Sequence, residues 1–292
     1  MTYVAAIDVG GTTMKGGLVT RDGTIHHAER RPTPRAGGPE EVVGAVAAFV
    51  ADLARPRDGV RPLAVGLAVP GLVTPTHAVF SAAFGWRDVP AHAFAPGVRL
   101  PVALGHDVRA AGEAELAYGE GGQDVLYLPI GTGIAGAVVL SGALYGGAGG
   151  WAGQVGHIPV RPDGAACGCG QRGCLAAYAS GGAVAARCGL PGAEEVVRAV
   201  LAGDARAVAV WDEAVEALAL ALATYTLVLD PAAIVIGGGV SQAGDTLLVP
   251  LRARLSARLG FRQAPEVRAS SLGARAGLMG AGLLGWRAAP GA

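Results

Sequence analysis

The chain has 292 residues, and its 23 basic and 23 acidic side chains give a formal net charge of zero. Because there is no basic stripe or acidic tail, we expect neither nucleic acid nor an anionic membrane as a partner. The longest apolar run, 218–229, contains two threonines and is too short for a membrane span, so it indicates a buried helix. The N-terminus enters a strand without a signal-peptide pattern, and we therefore expect a cytoplasmic protein.

The first predicted element is a buried strand over 3–9, followed directly by a glycine turn. Such a turn, beside a carboxylate that can hold hydrated magnesium, is what a nucleotide phosphate site needs. The alternative is an ordinary β-hairpin with a Gly-Gly turn. Lys15 is the one lysine in the sequence, which favours the phosphate interpretation. The residues that would face the phosphates are Asp8, Gly10, Gly11, Thr12 and Lys15.

Periodicity predicts the elements that follow. Up to residue 118 they are strands over 16–20, 24–31, 63–69 and 101–105, and helices over 40–53 and 108–118. The strand at 63–69 ends at Pro70-Gly71, and a connecting segment holds Phe80, Phe84 and Trp86. The strand at 101–105 stops at His106-Asp107.

The opening pattern then returns. A strand over 124–130 leads into the turn Gly131-Thr132-Gly133, which is followed by strands over 134–140 and from 143 onward. A duplicated unit of this kind predicts two similar lobes with a cleft between them, in which each lobe contributes one glycine turn to a nucleotide.

The rest of the chain contains an irregular region and a further glycine-rich strand end. Residues 151–178 are rich in Gly and Cys, and helices are predicted over 194–202, 208–229, 246–259 and 274–286. A buried strand over 232–236 ends in Gly237-Gly238-Gly239, where a flat adenosine could approach the backbone. Three of the four cysteines lie within 167–174, which favours a metal site over a disulfide framework.

Taken together, these motifs resemble the ROK family of sugar kinases and sugar-responsive repressors, within the actin-like, hexokinase-like ATPase fold. The motifs that carry the resemblance are Asp8-x-Gly-Gly-Thr12, Val69-Pro-Gly71, Gly105-His-Asp107 with Ala110-Ala-x-Glu113, Gly131-Thr-Gly133, Gly153-x-x-Gly156-His157, Cys167-x-Cys169-Gly-x-x-x-Cys174 and Ile236-Gly-Gly-Gly239. The family's repressors carry a DNA-binding domain ahead of the first phosphate strand. Here that strand starts at Tyr3, so we expect an enzyme.

The resemblance implies an α/β fold of two ribonuclease H-like lobes with a nucleotide and sugar cleft. The expected small lobe is 1–113 plus 275–292, and the large lobe is 114–274 with a zinc-binding insertion at 151–178. The resemblance also implies an ATP- and Mg²⁺-dependent, glucokinase-like transfer of the γ-phosphoryl group to the 6-hydroxyl of a hexose. It further implies a homo-oligomer, either a dimer or a tetramer.

The resemblance assigns the site residues as follows. Asp107 is the catalytic base, for which the alternative is a helix N-cap, and both roles could coexist. His157, Cys167, Cys169 and Cys174 form a closed tetrahedral set suited to structural Zn²⁺. The residues expected near the nucleotide are Asp8, Gly10, Gly11, Thr12, Lys15, Gly131, Thr132, Gly133, Gly238 and Gly239. Those expected near the sugar are Gly71, His106, Asp107, Gln154 and His157.

Departures from the family pattern all fall on the sugar side. His106 stands where related glucokinases usually have Asn, and Gln154 stands where they have Glu. Related glucokinases usually have Glu shortly after the last zinc cysteine, whereas the run Cys174-Leu175-Ala176 has no carboxylate, and Ala83-Phe84 replaces the usual Asn-Leu. Because a pocket built for particular hydroxyls rejects analogues strongly, such changes can redirect specificity. The alternatives are therefore a kinase for an amino sugar such as kanosamine, an N-acylhexosamine or a C7-cyclitol, and a non-catalytic sugar-binding regulator.

Overall fold

The computed structural model describes residues 2–57 and 59–291. The chain forms two compact units. The first contains the residues up to Gly121, Gly147–Trp151 and those from Arg275 onward, and the second contains Gly122–Gly146 and Ala152–Ala274. The predicted lobe boundaries and the cleft between the lobes stay predictions.

The main sheet of the first unit has five strands in the order β3-β2-β1-β4-β8. The strands of this unit are β1 Val4–Val9, β2 Thr13–Val19, β3 Ile25–Pro32, β4 Val65–Val69, β5 Leu72–Val73, β6 His77–Phe80, β7 Arg87–Pro90 and β8 Val102–His106. Its helices are α1 Gly38–Leu53, α2 Asp107–Tyr118 and α8 Ala276–Ala288. Strands β1, β2 and β3 are antiparallel, whereas β1, β4 and β8 run parallel.

The parallel strands bring the predicted site residues of this unit to one edge of the sheet. In the register, Asp8 on β1 lies beside Ala68 on β4, and Val69 lies beside His106 on β8. Ligands of open α/β sheets bind at the carboxyl ends of the strands. This edge is therefore where a substrate site is expected.

Strand β1 is buried on both faces. Ala5, Ile7 and Val9 pack with the α1 side of the core, whereas Val4 and Ala6 pack with α8. Helix α8 lies so close to the sheet that a Cβ on Gly66 would be 1.8 Å from the Ala281 carbonyl oxygen. The last predicted helix is confirmed as α8, and the structure shows that it packs on the first predicted strand.

The segment between β4 and β8 is more ordered than the sequence predicts. Strands β5, β6 and β7 form a small antiparallel sheet where only a connecting segment was expected. These strands have two to four residues each, so they show no clear alternation of apolar and polar positions.

The second unit repeats the strand order of the first, β11-β10-β9-β12-β13. Its strands are β9 Val125–Pro129, β10 Ala137–Leu140, β11 Ala143–Leu144, β12 Ala233–Gly237 and β13 Glu266–Ala269. Its helices are α3 Ala176–Ala179, α4 Gly181–Cys188, α5 Ala193–Leu201, α6 Ala205–Leu229 and α7 Asp245–Arg258. Three antiparallel strands are again followed by two parallel ones, which confirms the predicted duplication.

Three details of the second unit differ from the prediction. Strand β10 begins at Ala137 because the turn before it extends to an isolated bridge between Ile130 and Ile134. Helix α4 was not predicted, since it opens with two glycines, and β13 was not predicted, since it is a short charged edge strand. The apolar run 218–229 forms the end of α6, so the predicted helix is confirmed, but Leu220, Leu227 and Val228 are exposed rather than buried. Within the described residues, no helix has the length and apolar composition that crossing a bilayer demands.

Candidate functional site

The glycine turn after β1 is fixed by hydrogen bonds. The Gly10 N–H donates to the Thr13 carbonyl over 3.1 Å, and the Thr33 hydroxyl donates to the Gly10 carbonyl over 2.8 Å. A Cβ on Gly10 would lie 2.7 Å from the Thr13 carbonyl oxygen, so a side chain does not fit there without a shift. The turn is therefore held in one shape, while Thr12 faces solvent.

Asp8 lies beside this turn in a nearly buried position. Only 9 % of the residue is exposed, and its carboxylate lies 3.5 Å from the Lys15 ammonium. Burial raises the pKa of Asp8 above its ordinary value, Lys15 opposes that rise, and the charge of Asp107 adds to it. Two carboxylates and one ammonium therefore share this edge of the sheet. Such an excess of negative charge favours a bound cation.

Helix α8 makes room for the Asp8 carboxylate. A Cβ on Gly277 would lie 2.3 Å from Asp8 Oδ2 and 2.6 Å from Asp8 Cγ. These distances are well below any real carbon contact, so the missing side chain at Gly277 creates the space that Asp8 occupies.

Helix α2 begins where β8 ends, at the two residues of the predicted catalytic motif. His106 is the N-cap, and its Nδ1 accepts the Arg109 backbone N–H over 3.3 Å. Asp107 is the first helical residue, and its Oδ1 accepts the Val108 N–H over 2.8 Å. The N-cap role considered for Asp107 thus belongs to His106. Asp107 therefore lies at the N-terminal end of α2, where backbone N–H groups point towards its side chain.

Arg109, in the first turn of the same helix, holds a distant glycine-rich segment. Its Nη1 donates to the Gly150 carbonyl over 2.7 Å. Gly150 lies in the Gly147–Trp151 segment that belongs to the first unit. Asp107 and this segment are therefore tied to one helix end.

Gly71, just after β4, and Phe84, between β6 and β7, have structural reasons for their identity. Gly71 has φ +112°, and a Cβ there would lie 2.0 Å from the Phe80 carbonyl oxygen. Phe84 is buried against Trp86, with ring centroids 4.7 Å apart. The residue that replaces the family's usual Leu thus belongs to an aromatic core.

The second unit carries its own glycine turn. The Gly131 N–H donates to the Gly133 carbonyl, and the Gly131 carbonyl accepts the Gly181 N–H over 2.7 Å. A Cβ on either Gly131 or Gly133 would meet only open space. A ligand could therefore come close to the turn at both glycines, and helix α4 supports the turn through Gly181.

The glycines after β12 pack beside this turn. Gly238 has φ +76°, and a Cβ there would lie 2.5 Å from the Ile130 carbonyl oxygen. The Val240 N–H donates to the same oxygen over 3.0 Å. Gly238 and Gly239 are thus brought next to the turn at 131–133, as the predicted nucleotide set requires.

The predicted metal ligands converge in the second unit. One side-chain donor atom from each residue lies within 4.8 Å of the others, for the set His157, Cys167, Cys169 and Cys174. Cys169 Sγ and Cys174 Sγ are 3.7 Å apart, and Cys167 Sγ is 3.7 Å from His157 Nδ1. Tetrahedral ligands at zinc distances would be separated by about 3.8 Å for two sulfurs and about 3.6 Å for sulfur and nitrogen. The residues therefore fit a tetrahedral ion.

The protonation chemistry of this cluster fits a cation as well. Burial raises the pKa of Cys174 to about 12, and the neighbouring thiols contribute to that rise. Burial lowers the pKa of His157, which favours the neutral imidazole that a metal needs. A divalent ion would supply the positive charge that stabilises the thiolates.

The turn that carries His157 is held from helix α6. The Tyr225 hydroxyl donates to the Val155 carbonyl over 2.5 Å in a buried site, and the Gln154 carbonyl accepts the His157 N–H over 3.0 Å. Burial raises the pKa of Tyr225, so its hydroxyl stays protonated and can donate. Gln154 and His157 are therefore positioned by one short turn.

Sequence reasoning missed the supporting residues Thr33, Arg109, Tyr225 and Gly277. Each of them acts on a partner between 23 and 269 residues away along the chain. Composition and periodicity carry no signal for such pairs.

Two mixed α/β sheets with the same strand order, each carrying a glycine turn after its first strand, define the actin-like ATPase class of folds. The chain belongs to the ROK family, whose family model matches residues 4–287. The α/β fold is that of the ROK sugar kinases.

Named relatives cover nearly the whole chain. A glucokinase of Halalkalibacterium halodurans is 34% identical over 311 residues, which span 97% of this chain and 94% of the relative. A solved ROK glucokinase of Streptomyces griseus, in complex with glucose and AMPPNP, superposes with a TM-score of 0.87 at 31% identity and covers 98% of this chain and 99% of its own. An N-acetylmannosamine kinase of Yersinia pseudotuberculosis is 30% identical over 246 residues, 82% of this chain and 83% of the relative.

Proposed function

We propose that this chain is an ATP-dependent hexose kinase that transfers the γ-phosphoryl group to the primary 6-hydroxyl of its sugar. The observation that carries the proposal is the edge of the first sheet. There Asp107 at the start of α2 interacts electrostatically with Asp8 beside a fixed glycine turn. The matches to glucokinases over nearly the full chain support the same reaction.

In the proposed step, the sugar 6-oxygen attacks the γ-phosphorus and a P–O bond forms. The bond between the γ-phosphorus and the bridging oxygen of ADP breaks, and ADP leaves with that electron pair. The hydroxyl proton passes to the Asp107 carboxylate, which acts as general base. The hydrogen bond from the Val108 N–H holds the Asp107 carboxyl group in a fixed orientation.

The nucleotide contacts are proposed on the two glycine turns and the glycines after β12. Those residues are Asp8, Gly10, Gly11, Thr12, Lys15, Gly131, Thr132, Gly133, Gly238 and Gly239. Mg²⁺, held near Asp8, would neutralise charge on the phosphates. Lys15 would add a fixed positive charge, and the open faces of Gly131 and Gly133 would let a phosphate approach the backbone.

The sugar side of the proposed site comprises Gly71, His106, Asp107, Gln154 and His157. A second candidate, an amino sugar or an N-acylhexosamine as the acceptor, is supported by two observations. Gln154 offers an amide where related glucokinases carry a carboxylate, and N-acetylmannosamine kinases are among the relatives. An amide both donates and accepts hydrogen bonds, so it can pair with an N-acyl group.

We propose structural Zn²⁺ on His157, Cys167, Cys169 and Cys174. Four protein ligands leave no open position, so the ion would hold the loop rather than take part in the reaction. It would fix the turn Val155–His157, and with it Gln154, in the sugar-binding position. The convergence of three cysteines and one histidine as candidate metal ligands fits a reducing, cytoplasmic compartment better than a disulfide framework.

The family resemblance also supports a homo-oligomer, a dimer or a tetramer, and size-exclusion chromatography with light scattering measures that state directly. The lobe boundaries 113/114 and 274/275 are proposals of the same kind, which limited proteolysis tests.

The test is ADP release from purified protein with Mg-ATP and a panel of sugars, with a no-sugar blank. The panel contains glucose, mannose, fructose, N-acetylhexosamines, amino sugars and cyclitols. We expect sugar-dependent release that Asp107→Asn abolishes and Asp88→Asn leaves intact. Asp88 is a matched control because it is exposed and its φ of +49° suits Asn. ATP binding without release across the panel would contradict the proposal and support a regulator.

A further inference from the structure

His106 uses both of its ring nitrogens within its own helix end. Nδ1 accepts the Arg109 N–H over 3.3 Å, and Nε2 lies 3.5 Å from Asp107 Oδ1. The His106 side chain is only 10% exposed. Little of the ring is therefore left to contact a substrate directly.

The cap fixes the tautomer of this imidazole. Because Nδ1 accepts a hydrogen bond, it carries no proton, so the neutral ring must carry its proton on Nε2. That N–H then faces the Asp107 carboxylate. A histidine in this arrangement links the helix N-terminus to the carboxylate that follows it.

The two oxygens of Asp107 consequently differ. Oδ1 accepts the Val108 N–H over 2.8 Å and lies 3.5 Å from His106 Nε2. Oδ2 is left as the oxygen able to take the proton of an incoming hydroxyl. The rotation of the carboxylate is thus set by one hydrogen bond and one polar contact, both at Oδ1.

We propose that His106 is a positioning residue that orients Asp107, so that Asp107 Oδ2 accepts the proton of the sugar hydroxyl. The inference rests on the proposed kinase function and deepens it. It gives the residue that departs from the family's usual Asn a role in the chemical step rather than in sugar binding.

Three variants of His106 distinguish its role as helix N-cap, through Nδ1, from the contact of Nε2 with Asp107. Ser at an N-cap accepts the same backbone N–H but has no Nε2–H, whereas Ala supplies neither. Asn caps the helix and keeps an N–H donor nearby. We expect His106→Ser to keep the thermal midpoint of the wild type and lose about tenfold in kcat with unchanged KM for sugar and ATP. His106→Ala should lose both kcat and stability, and His106→Asn should recover part of the kcat.

Two kinetic outcomes would overturn the proposal. If His106→Ser keeps the wild-type kcat and KM, His106 is only a helix cap. If it raises the KM for sugar and leaves kcat unchanged, His106 contacts the sugar instead. His92→Ser, at an exposed histidine in the 3-10 helix Ala91–Phe94, is the matched control and should leave both parameters unchanged.

A spectroscopic measurement tests the same geometry without turnover. Long-range ¹H–¹⁵N correlation of the ¹⁵N-labelled wild type reports the tautomer of each histidine, and the signals lost in His106→Ser identify His106. We expect the tautomer with the proton on Nε2, and a proton on Nδ1 would refute the proposal. If the wild type releases no ADP with any sugar, the kinase proposal fails, while the tautomer still decides the role of His106.

Discussion

The contact between α8 and Asp8 allows a paired test with two helical glycines. Gly277→Ala would place a Cβ 2.3 Å from Asp8 Oδ2, whereas a Cβ on Gly44 in α1 would meet nothing within 4 Å. In both cases alanine gains about 1 kcal/mol of helix propensity over glycine. Only Gly277→Ala also carries the cost of overpacking, about 1–3 kcal/mol, so the two variants should differ by that amount.

The effect of Gly277→Ala on activity depends on which group moves to remove the overlap between the new Cβ and the Asp8 carboxylate. Asp8 is buried on a central strand and its side chain is short, so the carboxylate cannot move away without losing its place beside Lys15. We therefore expect Gly277→Ala to weaken ATP binding and lower kcat, and Gly44→Ala to leave both unchanged.

Thermal unfolding and steady-state kinetics of both variants are the assay. At about 3 °C per kcal/mol, the midpoint of Gly277→Ala should lie about 3–9 °C below that of Gly44→Ala. If Gly277→Ala were as stable as Gly44→Ala and fully active, the close approach of α8 to Asp8 would be refuted.

Three further predictions concern the charge at Asp8, the Tyr225 hydrogen bond and the metal. Burial raises the pKa of Asp8, so the free energy of unfolding falls as the pH rises from the ordinary pKa of an aspartate to the raised one. Asn at this position carries no charge to bury, so Asp8→Asn should raise the thermal midpoint at pH 7 while it abolishes ADP release. Tyr225→Phe removes the buried hydrogen bond to the Val155 carbonyl, so the KM for sugar should rise while the KM for ATP stays unchanged. An unchanged KM for sugar would show that the turn Val155–His157 does not need this hydrogen bond. Elemental analysis should find one zinc per chain in the wild type and in Cys188→Ser, but none in Cys167→Ser; equal zinc in all three would exclude the proposed ligand set.

The sequence was sufficient to predict the elements that carry a strong local pattern. Buried strands such as β1 and β4 show as apolar runs, and α1 shows a helical period, so their positions are confirmed within two residues. The duplicated order of strands could also be predicted, since each copy keeps the same series of strand, glycine turn and strand.

The features of the site that could not be predicted from the sequence depend on contacts between residues far apart in the chain. Nothing near Tyr225 in the chain indicates that its hydroxyl contacts Val155, because the surrounding run is apolar and predicts only a buried helix. The N-cap at His106 was missed for a different reason: Asp is the commoner capping residue, and the imidazole takes that role only in the observed backbone geometry. The ligand set for zinc was predictable because the three cysteines lie close together in sequence.

The packing of α8 on β1 has a consequence for how the protein is made. Strand β1 leaves the ribosome among the first residues, yet α8, which covers one of its faces, starts at Ala276. At bacterial and eukaryotic synthesis rates the strand waits roughly 15 to 50 seconds for this helix. During that interval Val4 and Ala6 lack the α8 residues that pack on them, and Gly277 of α8 is not yet present beside Asp8. An apolar strand face that stays uncovered for this long is the kind of surface that chaperones bind in nascent chains, and here it is covered only once α8 has been translated.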